Sequence, residues 1–153
     1  MTSASSSRNV VAFLSDVRQA SGRIGPALRE LDALMHAQES AERWRTRSQQ
    51  LTGGRGAFGN PTASAALGNI TELPERIAMV RGSLNEDIDT VGQGLALVAM
   101  VRRSLGGRPA LAIELYYIDR AQTWAEVARE MHASDRTVHR WRDKALDYIE
   151  GIV

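Results

Sequence analysis

The chain has 153 residues with nineteen basic and eighteen acidic side chains, 43% hydrophobic and 5% aromatic content, and no Cys. That excludes disulfides and thiolate metal sites, and a net charge of +1 supplies no global field to attract polyanions. No stretch approaches the roughly 20 apolar residues of a membrane span, and the start MTSASSSRNV has no signal-peptide core, so a cytoplasmic protein without membrane contact is expected.

Strand formers are sparse while Ala, Leu, Arg and Glu are plentiful, so the chain is predicted to be all-α. The first helix is predicted from about Ser7 to Gln50. Val10, Val17, Ile24 and Leu31 repeat every seven residues, Phe13, Ala20, Ala27 and Leu34 form the next seam, and Leu14, Leu28 and Met35 widen the stripe. This a/d spacing keeps one face against a partner helix. Gly25-Pro26 interrupts it, and a kink or a break is expected there because Pro lacks a backbone donor and crowds the preceding turn. The stripe fades into HAQESAERWRTRSQQ, with Trp44 as a docking point on a solvated end.

Residues 52–69, TGGRGAFGNPTASAALGN, are rich in Gly, Ser, Ala and Asn and are expected to form a flexible connector. No Gly-Lys-Ser/Thr follows these glycines, so they do not make a phosphate loop. The second helix is expected to begin near Thr71, a capping residue followed by Glu72 and Glu75. Ile70, Ile77, Leu84, Val91, Val98 and Leu105 repeat every seven residues, and Leu73, Val80, Ile88, Leu95 and Val101 complete the stripe. Gly82, Gly92 and Gly94 weaken this helix or allow a close helix–helix approach. Gly106-Gly107 ends it and Pro109 opens the next. Two heptad helices imply a long antiparallel hairpin, a coiled-coil-like stalk, and the same stripes would serve a homodimer or higher oligomer.

The third segment, RPALAIELYYIDRAQ, runs from Arg108 to Gln122 with Leu111, Leu115 and Ile118 at helical spacing. Thr123 and Glu126 then form a T-x-x-E capping box, so a short helix starts at Trp124 and ends near Met131. His132-Ala133 make a turn, and Ser134 caps a last helix from Asp135 to about Glu150. This run fits a helix-turn-helix. Ala128 is the small residue needed at the helix crossing, and Val127, Met131, Ala133, Val138 and Trp141 fill the apolar slots. His132 stands where Gly usually supplies a positive φ, a mild departure because His tolerates that conformation better than most residues. A structural helix pair with no DNA role fits the same pattern. The expected organisation is a stalk over 1–107 and a helix-turn-helix domain over 108–153, whose core combines Leu115, Ile118, Trp124, Val127, Ala128, Met131, Val138, Trp141 and Leu146.

The run LAIELYYIDRAQTWAEVAREMHASDRTVHRWRDKALDYIE resembles region 4 of sigma-70-type factors in its leading helix, Glu-Val-Ala, cap Ser, Thr-Val and closing Ala-Leu. The chain as a whole resembles the phage-encoded, sigma-region-4-like regulators of the ArpU and RinA type, most closely in YYIDRAQTWAEVAREMHASDRTVHRW; its N-terminal part matches only in architecture. The resemblance implies control of phage or prophage late-gene transcription.

In a helix-turn-helix the second helix enters the major groove, and its N-terminal half meets base edges. The outward positions here are Ser134, Asp135, Arg136, Thr137, His139, Arg140 and Asp143. Arg136 and Arg140 share one face and suit bidentate contact with guanine. Arg142 and Lys144 suit phosphate, and Thr123 can offer a hydroxyl and backbone amides. Residues 108–153 carry seven basic and eight acidic side chains, a net of −1, so few phosphates are neutralised. That shortage favours a dimer or a fragment held at a promoter by RNA polymerase. Arg43, Arg45, Arg47 and Arg55 form a second basic cluster, either a solvated face or further phosphate contacts.

No nucleophile motif, carboxylate pair or metal-ligand spacing stands out. His132 and His139 are seven apart with no third ligand, and His36 lies on a polar stretch, so no catalytic residue, metal or cofactor is expected. The expected partner is double-stranded DNA, with RNA polymerase as a second. Two other functions fit: a small terminase subunit of phage DNA packaging, and a sigma-like adaptor that binds RNA polymerase without reading bases.

Overall fold

The computed structural model describes the backbone of residues 3–51 and 61–152 and the side chains of 9–48 and 72–152. Among these residues every regular element is helical: α1 (Ser3–Leu51), α2 (Pro61–Leu105), α3 (Gly107–Ile113), a π-helical continuation over Glu114–Ile118, α4 (Trp124–Glu130) and α5 (Asp135–Ile152). The all-α expectation holds, and α1 packs against α2. No helix among the described residues is long and apolar enough to cross a membrane.

Two boundaries differ from expectation. α1 runs through Pro26 unbroken, so of the kink or break expected at Gly25-Pro26 the break does not occur. Pro26 lies on an exposed side of the helix, where water can satisfy the carbonyl that loses its donor. α2 begins at Pro61, ten residues before Thr71, so residues 61–69 are helical rather than connector. Pro is preorganised for the first helical position, and the Ala-rich stretch after it has high helix propensity. Residues 52–60, with Arg55, lie outside the described residues, as do the side chains of Ile70 and Thr71.

The chain forms two compact units, one of residues up to Ile24 with Glu86–Val153, the other Gly25–Asn85. These are drawn differently from 1–107 and 108–153. The second unit is a helix pair. Ala41, Ile77 and Leu84 are buried there, Glu30 and Arg76 pair at 3.6 Å, and Leu28, Met35, Trp44 and Met79 remain exposed.

The first unit explains its own composition. Its main core joins Val10 and Leu14 of α1, Val98 and Val101 of α2, Ala110 and Ile113 of α3, Tyr117 of the π segment, and Ala145 and Ile149 of α5. The α1 and α2 segments of this unit and the C-terminal helices therefore bury one another. Here α1 and α2 run antiparallel. Val17 closes on Gly94, where a Cβ would meet Val17 Cγ1 at 2.6 Å, and Arg23 forks onto Asp87 with bonds of 2.9 and 3.1 Å. Gly94 is thus the glycine that permits close approach, while Gly82 and Gly92 face open space. Ile88 and Leu95, counted in the heptad stripe, are 47% and 43% exposed and lie off the contact.

The carbonyls at the end of the π segment are satisfied from α1. Arg18 donates to the carbonyls of Tyr116 and, at 2.9 Å, Ala121, and the Ser21 hydroxyl donates to that of Ile118 at 2.6 Å. Arg120, at φ 61, turns the chain out of the helix, with Ala121 N–H bonded back to the Leu115 carbonyl at 2.9 Å.

Leu14 is 1% exposed in the shared core. Leu14→Ala should cost about 2–5 kcal/mol. Because that core holds α5 together with the first unit's α1 and α2 segments, the near-UV signal of Trp124 and Trp141 should be lost at a lowered melting temperature. An unshifted loss of the Trp124 and Trp141 signal would show that the C-terminal helices fold apart from α1.

Candidate nucleic-acid interface

The segment from Thr123 to Ile152 forms the expected helix, turn and helix. Thr123, in extended conformation, caps α4, its hydroxyl accepting from the Glu126 amide at 3.1 Å. The Glu126 carboxylate accepts from the Gln122 amide at 2.8 Å, one residue before the partner a capping box would use. α4 ends in a complete left-handed C-cap. His132 has φ 53, its N–H donates to the Arg129 carbonyl at 3.3 Å, and the Ala133 N–H reaches the Ala128 carbonyl at 3.0 Å. His132 therefore takes the conformation for which Gly is usual. Ser134 caps α5, its hydroxyl accepting from the Thr137 amide at 3.2 Å and bonding the Thr137 hydroxyl at 2.8 Å.

The crossing is tight. Ala112, Val127, Ala128, Met131 and Val138 form a second core cluster, flanked by Leu115, Tyr116, Ala121, Trp124, Ala133 and Trp141. Of the expected core, Leu146 packs instead against the cluster shared with α1 and α2, and Ile118 is half-buried. Tyr116 stacks on Trp124 with ring centroids 4.2 Å apart, and the Arg18 guanidinium lies over the other aromatic partner, Tyr116, at 4.3 Å. Burial raises the pKa of the Tyr117 hydroxyl, and burial with the neighbouring Glu114 raises that of the Asp119 carboxyl.

The expected DNA-facing residues separate into three groups. Arg136, Arg140 and Lys144 are exposed, spaced by four along α5, and no ion pair among the described residues engages them. They form one cationic row on the solvent face. Ser134, Thr137 and Thr123 lie at the helix starts with their hydroxyls already engaged in caps, and Asp135 is exposed in the first turn of α5. The third group faces inward or is paired. His139 is half-buried with its Nδ1 enclosed and unbonded, its ring 6.4 Å from that of Trp124. Arg142 is bound to Asp143 at 3.1 Å and lies 5.3 Å from the Trp124 ring, while the Asp143 side chain stays exposed. The cause is register: Arg142 falls toward the flank where α4 packs, and Asp143 is its immediate neighbour.

Sequence reasoning passed over Arg108, which is exposed and stands 5.6 Å from the Trp141 ring. Its signal was weak, a lone Arg between Gly107 and Pro109. Of the other basic cluster, Arg43, Arg45 and Arg47 are exposed, and Arg43 pairs with Glu39 at 3.8 Å. Among the described residues no three potential ligands converge on a metal position. No protein-family model, curated protein or solved structure matches the chain.

The turn geometry gives opposite signs for two substitutions at one position. An L-residue in the left-handed region carries a cost of about 1–2 kcal/mol that Gly avoids. His132→Gly should therefore raise the melting temperature, by about 0.5–1 kcal/mol of stability after Gly's extra chain entropy. His132→Val should lower it. At the crossing, Ala128→Glu would bury a charge and unfold the α4–α5 pair, and a variant melting like wild type would contradict the tight crossing.

Proposed function

We propose that this chain is a sequence-specific DNA-binding transcription regulator whose α5 enters the major groove. The observation that carries this reading is the conjunction at α4–α5: a left-handed turn at His132, a Ser134-capped second helix, and an unpaired cationic row of Arg136, Arg140 and Lys144 on its open face. Arg136 and Arg140 lie within the first two turns of α5, where a helix-turn-helix meets base edges, and their guanidiniums suit guanine. The resemblance of this segment to sigma region 4 and to phage regulators of the ArpU and RinA type supports a narrower assignment, control of phage or prophage late genes in the cytoplasm. RNA polymerase is then a second partner. With so few cations per chain, the exposed apolar side chains Leu28, Met35 and Met79 supply a route to a second copy that doubles the phosphate contacts.

Selection from a random DNA pool tests the proposal. Arg136→Ala or Arg140→Ala should cost about 1–3 kcal/mol at the selected site and relax base preference there. Lys144→Ala should weaken binding about equally on every sequence and flatten the salt dependence by about one unit of slope. An identical selected motif for wild type and for the Arg136→Ala/Arg140→Ala double variant would exclude base readout by α5 and favour a polymerase-binding adaptor. A large ring in solution would favour a terminase subunit.

A further inference from the structure

Two Arg–Trp pairs flank α5. On the α4 side Arg142 lies 5.3 Å from the Trp124 ring, and on the α3 side Arg108 lies 5.6 Å from the Trp141 ring. They differ in what else holds the guanidinium. Arg142 is only 27% exposed and bonds the Asp143 carboxylate through two nitrogens, each at 3.1 Å. A phosphate would have to displace that carboxylate. Arg108 is exposed, and no carboxylate among the described residues pairs with it. The Trp141 ring steadies the plane of the guanidinium and leaves its N–H fork for an outside acceptor.

Position on the helix adds a second reason. Lys144 follows Trp141 by three residues, about one turn, so it neighbours the ring on the surface of α5 and belongs with Arg140 and Arg136 to the row spaced by four. The ring thereby links Arg108, at the start of α3, to the row of Arg136, Arg140 and Lys144. The opposite flank is less hospitable to a phosphate: the Glu126 carboxylate already sits at the start of α4, 2.8 Å from the Gln122 amide.

We propose that Arg108, braced on Trp141, is a DNA-phosphate contact which, with Lys144, grips the backbone strand on the α3 side of the groove. The inference rests on the DNA-binding role proposed above and makes the interface lopsided, anchored by α3 rather than by the start of α4.

The test is the salt dependence of full-length protein binding to its selected site. Arg108→Ala should reduce the slope of log K against log salt by about one unit and leave the selected base motif unchanged. Arg108→Lys should restore the slope, because a phosphate contact needs the charge and not the fork. Arg142→Met, which keeps an apolar stem against Trp124, should leave the slope at its wild-type value. A wild-type slope for Arg108→Ala, or a loss of slope in Arg142→Met instead, would overturn the proposal while readout by Arg136 and Arg140 stood. If the Arg136→Ala/Arg140→Ala variant also selected the wild-type motif, base readout by α5 would fail separately, and if the wild-type protein bound no DNA at all, the DNA-binding role would fail with it.

Discussion

The burial of Leu14, Val98 and Val101 against Ile113, Tyr117, Ala145 and Ile149 is the constraint on which the first unit depends. α5 is too polar to hold its position through its first half alone. Val138 belongs to the small cluster with α4, whereas Ala145 and Ile149 belong to the cluster shared with α1 and α2. The direction in which Arg136 and Arg140 point is therefore set by two cores at once. A helix-turn-helix of forty-odd residues has little apolar surface to bury, and the α1 and α2 segments supply what it lacks.

Backbone polarity reinforces the same junction. A helix end leaves carbonyls without intrahelical donors, and burying them unpaired is costly. At the end of the π segment those carbonyls face α1, and Arg18 and Ser21 meet them. Arg18 also lies over Tyr116, which stacks on Trp124 at the start of α4. A continuous path of contact thus leads from one α1 side chain to the first turn of the helix-turn-helix. The left-handed Arg120 is part of this closure, its guanidinium seated on Gly22 of α1, where a Cβ would meet it at 2.4 Å.

Helix and cap signals were the legible features, because they are local. The heptads gave the helical class, Thr123 and Ser134 gave the starts of α4 and α5, and the slot of His132 foretold its positive φ. What the sequence hid was tertiary. Ala110, Ile113, Tyr117, Ala145 and Ile149 pack on one another within the C-terminal segment, and no local signal marks them as also facing α1 and α2, so a division at 107/108 looked natural. The contact seam keeps its seven-residue repeat through Val80, Asp87, Gly94 and Val101, where a polar residue and a glycine hide it from an apolar count, so Ile88 and Leu95, each one residue past it, counted as seam yet lie exposed. The tying of Arg142 to Asp143 and Trp124, and the seating of Arg108 on Trp141, depend on side-chain directions that spacing does not report.

Charge along α5 is graded, and helix stability does not explain the gradient. Arg136 stands in the first turn, where the macrodipole disfavours cations, beside Asp135, which suits it, while Glu150 stands in the last turn, where it disfavours anions, with no basic residue there. Arg136 and Glu150 each oppose the dipole at a cost of a few tenths of a kcal/mol or more. For a helix that meets DNA the same gradient has a use. Under the DNA-binding role proposed above, the cationic row would draw phosphates to the first turns and the acidic end would repel them, so the helix would approach a duplex by its N-terminal half and not by its C-terminal one. With a net charge of +1 over the whole chain, such local sorting would supply orientation where a general positive field is missing.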